Sequence, residues 1–165
     1  LYTQPYIIIY TRRCGDPLME EDRELENIIR KMLMKRTLSR TICCQKTVPA
    51  GYEITSRKEL EQLVNNCRVV FINFYSPLCP YCEMFKPIYL RVARRYSGKA
   101  VFARSNTAYS PELAWSFNVM ATPTTVALVY GKVVVYIPGY IDEITFNEIV
   151  LKTLSKAGCQ EGNVP

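Results

Sequence analysis

The period of the apolar positions changes at about residue 52 and divides the chain into two parts. In the first part, the run Tyr6-Ile7-Ile8-Ile9-Tyr10 has the β-branched and aromatic content of a strand. A turn follows, ending with Asp16 as a helix N-cap and Pro17 at the first helical position. Leu18, Leu25, Ile28, Ile29 and Met32 then recur at helical spacing and predict a helix to about Lys35. Its acidic start (Glu20, Glu21, Asp22, Glu24) and basic end (Arg30, Lys31, Lys35, Arg36) complement the helix dipole. Residues 37–51 carry Ser, Thr, Pro and Gly without periodicity and read as a connecting segment.

From Tyr52 onward helix and strand alternate. Ser56 and Glu59 form a capping box that opens a short helix with Leu60, Leu63 and Val64 on one face. Val69 to Tyr75 is almost wholly apolar, as in a strand covered on both faces. Cys79 to about Tyr96 reads as a helix kinked at Pro87, with Phe85, Ile88, Tyr89, Val92 and Tyr96 inward. Ala100–Ala103 is a short strand, and Ser110-Pro111 caps a brief helix through Phe117 in which Trp115 is expected to pack. Thr124–Tyr130 and Lys132–Ile137 form a hairpin turning at Gly131. Ile144, Ile149, Val150 and Leu154 give the last helix its buried face. The order β, α, β, α, β, α, β, β, α implies an α/β fold, a mixed central sheet flanked by helices, over residues 52–165. Residues 1–51 form an N-terminal strand-helix extension and linker.

Composition narrows the chemistry. The 165 residues are 48% hydrophobic and 22% charged, the balance of a folded chain. There is no histidine, so Ser-His and Cys-His couples, HExxH metal sites and imidazole proton shuttles are excluded. Seven cysteines turn attention to thiol chemistry, and an odd number cannot close wholly into pairs within one chain. No apolar run reaches the roughly 18–20 residues that span a bilayer, so no membrane partner is expected. The excess of six positive charges includes Arg91, Arg94 and Arg95 on the outer face of the Cys79 helix. Without a basic stripe interleaved with aromatics, it does not predict nucleic-acid binding.

Cys79-Pro80-Tyr81-Cys82 follows an apolar strand and opens a helix. A sulfur at a helix N-terminus faces unpaired backbone N–H groups and the positive end of the dipole, which stabilise its thiolate below the free value of about 8.5. The thiolate is the nucleophile. The second sulfur, one turn along and less exposed, is placed to attack the mixed disulfide. A zinc half-site is the alternative, but without histidine it needs three or four converging cysteines, and only Cys43-Cys44 offers a second pair. No metal is expected.

With these residues in place, the chain from 52 to about 158 resembles the thioredoxin superfamily. Thr122-Pro123, the proline 44 residues after Cys79, stands where that family places a cis-proline facing the active-site sulfurs. Pro87, five residues after Cys82, matches its helix proline, and Gly139, sixteen after Pro123, matches the glycine completing the substrate groove. The resemblance implies a thioredoxin-like fold, with Cys79 attacking, Cys82 resolving, and Leu78, Thr122, Pro123 and Gly139 forming a groove that holds a substrate segment in β-like pairing. It implies cysteine-containing protein substrates, a redox partner (a reductase or glutathione), and no cofactor beyond the Cys79–Cys82 disulfide.

Four departures bear on tuning. Asn73 stands where thioredoxins usually keep a buried aspartate that helps deprotonate the resolving cysteine, so the proton of Cys82 must move by water or another group. Leu78 replaces a common tryptophan and Glu83 a frequent lysine. Pro80-Tyr81 is the dipeptide of glutaredoxins, which predicts a potential near their range of about −200 to −230 mV rather than thioredoxin's −270 mV or so. Equilibration with a glutathione buffer reads that value; a result at or below the thioredoxin figure contradicts it.

The activity implied is thiol-disulfide exchange with protein cysteines. The alternatives are a glutathione-coupled, glutaredoxin-like reductase and a binding module with incidental redox turnover. Only Gly139-Tyr140-Ile141-Asp142 stands where a glutathione clasp would lie, which favours the protein groove. Cys14 with Cys43 or Cys44 is a candidate staple for the extension; Cys67 with Cys159 is a second, although isolated buried thiols are expected there. Ile9 to Cys14 also mirrors Phe74 to Cys79, yet fifty residues cannot hold a second copy, so an added strand and helix is expected. The cytoplasm is the expected location, with an extracytoplasmic one left open because the chain starts without methionine.

Overall fold

The computed structural model describes residues 18–159, and the strand expected at 6–10, the turn before Leu18 and Cys14 lie outside them. The chain divides into two compact units between Ser39 and Arg40. Helix α1 spans Leu18–Thr41, all but its last two residues in the first unit. It continues about six residues beyond the end set by the apolar periodicity, since neither Gly nor Pro interrupts the sequence there.

The second unit contains β1 (Tyr52–Glu53), α2 (Arg57–Asn66), β2 (Val69–Tyr75), α3 (Pro80–Arg95), β3 (Val101–Asn106), α4 (Pro111–Ser116), β4 (Thr124–Val129), β5 (Lys132–Pro138) and α5 (Glu143–Lys156). The sheet order is β1-β3-β2-β4-β5. β3 runs parallel to β1 and β2, whereas β4 pairs antiparallel with both β2 and β5. It is therefore the mixed sheet with helices that the alternation predicts, and β2, paired on both sides, is buried from Val69 to Phe74.

Two apolar layers sandwich the sheet. On one face Phe71, Phe102 and Ala127 meet Phe85, Tyr89 and Val92 of α3 and Phe146, Val150 and Leu154 of α5. Phe71 stacks on Phe102 with ring centroids 4.9 Å apart, and Phe146 lies edge-on to Phe85 at 5.4 Å. On the other face Val70, Ile72, Phe74, Val101 and Val126 meet Leu60 and Leu63 of α2 and Leu113 of α4. Salt bridges and hydrogen bonds then join α3 to α5: Arg91 donates to Glu143 at 2.8 Å, and Arg95 and Tyr96 donate to Asn147.

Local chemistry explains where the elements start and turn. The capping box forms: Glu59 N–H donates to Ser56 Oγ, and Ser56 N–H donates to the Glu59 carboxylate. Tyr130 and Gly131, both at positive φ (50° and 75°), make the β4–β5 turn. α3 passes through Pro87 without ending.

Four expectations are corrected. β3 extends to Asn106, because Arg104 and Ser105 continue the strand although their polarity reads as its end. Ser110 precedes α4 but makes no capping hydrogen bond; its Oγ is buried without a partner. Trp115 is exposed rather than packed. In α5 the buried positions are Phe146, Val150, Thr153 and Leu154, with Ile149 half-buried and Ile144 exposed, since a helix capped by Asp142 turns its second residue outward.

Residues 43–50 do more than connect. Cys43 is disulfide-bonded to Cys159, and Cys44 to Cys67. Cys44 bridges Cys67 in antiparallel fashion, Arg68 N–H donates to Cys43 O at 2.9 Å, and Gln45 N–H donates to Asn66 O at 2.8 Å. The vicinal cysteines thus fasten this segment to the end of α2, the start of β2 and the chain following α5. These pairings replace the expected ones: Cys67 and Cys159 are neither isolated thiols nor partners of each other, and Cys43 and Cys44 are both taken without Cys14.

Candidate active site

β2 ends at Tyr75, and four residues later Cys79 is the N-cap of α3, with extended backbone. Pro80 occupies the first helical position, where its missing N–H costs nothing. Cys79 is disulfide-bonded to Cys82. Cys79 is half-buried, whereas Cys82 is 1% exposed. That difference separates a sulfur that an incoming group can reach from one that only Cys79 can. Cys82 N–H donates to Cys79 Sγ at 3.2 Å, so the helix terminus already directs a backbone donor at the sulfur that would carry negative charge.

Thr122-Pro123 is a cis peptide bond, as the superfamily's pattern implies. Thr122 O lies 3.6 Å from Cys79 Sγ, within reach of the S–H of a reduced thiol. Thr122 Oγ1 lies 3.7 Å from the same sulfur and 2.8 Å from Ser76 Oγ. If the Thr122 hydroxyl donates to sulfur, Ser76 must donate to Thr122, so the two hydroxyls form a directional relay ending on Cys79. Sequence reasoning missed Ser76: one serine between a strand and the cysteines belongs to no motif.

Gly139 N–H donates to Pro123 O at 2.7 Å, with Gly139 at φ 85°, which brings β5's end against the proline. Of the residues expected to form a groove, Thr122 therefore lies against Cys79, and Gly139 is tied to Pro123, the residue next to it. Leu78, at φ 59°, is fully exposed, and Tyr81 is 62% exposed, so both present apolar surface on either side of Cys79 in sequence.

Asn73 is 1% exposed, and its Nδ2 donates to Thr125 Oγ1 at 3.2 Å. It is register partner to Arg104 on β3, itself 5% exposed. Arg104 donates to Glu53 at 3.4 Å and lies 3.8 Å over the Tyr75 ring, while its Nε has no partner. Burial, followed by the charge of Glu53, raises the Tyr75 hydroxyl above the usual tyrosine range. Tyr89, wholly buried, is raised well above that range by desolvation and donates to Ala103 O at 2.7 Å. Neither phenol ionises near neutrality.

Among the described residues no three His, Cys, Asp or Glu side chains gather where they could hold a metal ion, and no helix is long and apolar enough to cross a membrane.

Comparison with known proteins bears on the fold and the family. The chain is 28% identical over 83 residues to a thioredoxin of Chlorobaculum thiosulfatiphilum, a match covering 50% of this chain and 77% of the relative. It is 24% identical over 105 residues to thioredoxin 1 of Nostoc, covering 64% of this chain and 98% of that one. Among solved structures, a single-residue mutant of a thioredoxin from Halobacterium salinarum superposes with a TM-score of 0.61 at 23% identity, covering 66% of this chain and 96% of its own. Mitochondrial thioredoxin 3 from Saccharomyces cerevisiae, in its oxidised form, gives 0.57 at 22% identity, covering 62% and 94%. These two likenesses establish the fold. The thioredoxin family model itself matches residues 51–152, well over half the sequence, and on that match the chain belongs to the thioredoxin family.

Proposed function

We propose that the protein is a thiol-disulfide oxidoreductase that exchanges Cys79 and Cys82 with the cysteines of other proteins. The observation that carries this reading is the asymmetry of the pair: Cys79 is half-buried at the N-cap of α3, with its sulfur 3.6 Å from the carbonyl of Thr122, which precedes cis-Pro123, and Cys82 is buried behind it. In the reducing direction the Cys79 thiolate attacks a substrate disulfide, forming one S–S bond while the substrate's breaks and its first sulfur leaves as thiolate. Cys82, after losing its proton, attacks Cys79 Sγ and releases the second substrate sulfur. The pair ends as a disulfide, and two electrons have passed to the substrate. The main-chain groups of Thr122 would hold a substrate strand next to the attacking sulfur.

Mixed-disulfide trapping tests it. With Cys82→Ser, a disulfide-containing substrate protein is expected to remain attached through Cys79 and to be released by dithiothreitol; if no such adduct accumulates while Cys79 alkylates normally, the reading fails.

A further inference from the structure

We propose that Arg104 sets the redox poise of the Cys79–Cys82 pair, its buried cation favouring the reduced, thiolate-bearing form, and that Glu53 moderates this by partial neutralisation. The proposal rests on Cys79 and Cys82 being the exchanging pair.

Four polar residues stand in one register row across the sheet: Glu53 on β1, Arg104 on β3, Asn73 on β2 and Thr125 on β4. Alternation along the strands puts this row on the face that carries Phe71, Phe102 and Ala127, which α3 covers. Asn73 and Thr125 are neutral and hydrogen-bonded to each other, so the charges of the row are Arg104 and Glu53. These two are unequally placed, with side chains 7% and 48% exposed. Among the described residues Arg104 is the one buried charged residue. Its contact with Glu53, at 3.4 Å, is long for a charge-assisted bond, and its Nε has no partner. Solvent screens the carboxylate more than the guanidinium, which leaves a net positive field inside the domain.

Cys82 lies in that field. Tyr89 of α3 donates to Phe71 O at 3.2 Å and its ring meets that of Phe102 at 5.7 Å, which fixes where the helix crosses the sheet. Cys82 is two turns nearer the helix start, about 10 Å along the axis. The row of Asn73 and Arg104 lies about 7 Å from Phe71 in the same direction, and Tyr75, whose ring the guanidinium covers at 3.8 Å, about 13 Å. Cys82 is therefore level with the stretch of sheet that the Arg104 side chain occupies, and its 1% exposure keeps out the water that would screen the charge. The Tyr89 hydroxyl registers both charges: desolvation raises its pKa most, Arg104 lowers it, and Glu53 raises it. Both side chains thus act on α3, with opposite sign.

The oxidised pair is neutral, whereas the reduced pair carries a thiolate once one proton leaves. A nearby cation favours that thiolate, so it shifts the equilibrium from disulfide to dithiol and makes the pair a better oxidant. Glu53 opposes the shift.

Equilibration of the full chain with glutathione buffers at neutral pH tests the proposal. Two glutathione thiols become one glutathione disulfide as the Cys79–Cys82 disulfide takes up two electrons and two protons, and alkylation at these two cysteines reads the extent. Arg104→Met should shift the equilibrium constant at least about fivefold towards the disulfide. Arg104→Lys keeps the charge and should stay within about twofold of wild type. Glu53→Gln should shift it about threefold the other way, towards the dithiol. General loosening of the domain would move the Met and Gln variants in the same direction, so the opposite signs are the signature of charge. Far-UV circular dichroism establishes that each variant is folded; should Arg104→Met not fold, the sign of the Glu53→Gln shift decides. Arg104→Met within about twofold of wild type, or Glu53→Gln shifted towards the disulfide, overturns the proposal and leaves the exchange reading standing. Failure of mixed-disulfide trapping with Cys82→Ser overturns both.

Discussion

Asn73 and Arg104 are register partners on β2 and β3, and both are buried on the sheet face that also carries Phe71 and Phe102. A position where thioredoxins usually keep a buried acid is therefore neutral here, and the charge beside it is a cation. Asn73 is satisfied by Thr125, and Arg104 turns instead to Glu53 and the Tyr75 ring. The cation is paired on one side only, and its Nε is unsatisfied.

That arrangement predicts an asymmetry between the partners. Glu53→Gln leaves a buried guanidinium without its counter-charge and should cost about 1–2 kcal/mol, the modest figure reflecting a glutamate that is half exposed. Arg104→Met removes the buried charge itself and should lie within about 1 kcal/mol of wild type. Urea denaturation of both variants checks the ranking; a larger loss for Arg104→Met contradicts it.

The landmarks around the active site are legible in the sequence because they are local or at fixed spacing. Cys79 and Cys82 take their positions from one helix start, and Pro123 and Gly139 from the lengths of intervening elements. The cysteine pairings are not legible. Cys43 and Cys159 are 116 residues apart, and only the folded sheet brings the segment before β1 to the chain following α5. Residues 43–50 show no period because side-chain crosslinks and single hydrogen bonds hold them, not a repeating ladder. β3 reads short since Arg104 hides its charge by stacking on Tyr75, and Ser76 carries no signal because its role depends on Thr122, 46 residues away.

The two disulfides outside the active site should be stabilising and dispensable for exchange chemistry. On chain-entropy grounds, closing the 116-residue separation contributes about 5 kcal/mol and the 23-residue one about 3.5 kcal/mol. Replacing Cys43 and Cys159 by alanine should therefore lower the thermal midpoint more than replacing Cys44 and Cys67. Calorimetry of the two double variants measures this, and the opposite order would refute the assignment of their roles.

The hydroxyl relay predicts a reactivity effect. Ser76→Ala removes the donor to Thr122 Oγ1 and frees that hydroxyl to point away from sulfur, weakening a contact that favours the Cys79 thiolate. Iodoacetamide should alkylate reduced Cys79 about threefold more slowly at neutral pH in the variant, the effect of one modest hydrogen bond. An unchanged rate means the relay does not act on the sulfur.

Acid should unfasten the surface of the domain. Glu143 is held below the usual carboxylate range first by the hydrogen bond from Arg91, then by the charges of Arg91 and Arg95. The Thr145 hydroxyl and N–H lower Asp142, and the Thr55 N–H leads the groups lowering Glu59. Each is depressed in the folded state, so each stabilises it above the unfolded carboxylate pKa, and the contribution disappears as pH falls through the folded value. The melting temperature should hold from neutrality to the carboxylate range and drop below it. Glu143→Gln should show a shallower drop, and an identical acid profile would remove Glu143 from the account.

The proposed exchange depends above all on Cys79 as the attacking thiol and Cys82 as the one that resolves it. Dithiothreitol-driven insulin reduction by the Cys79→Ser variant tests it most directly, with the wild-type chain alongside. Wild type should accelerate the reaction, and Cys79→Ser should reduce it to the rate of dithiothreitol alone; a Cys79→Ser variant as active as wild type means that Cys79 is not the attacking thiol.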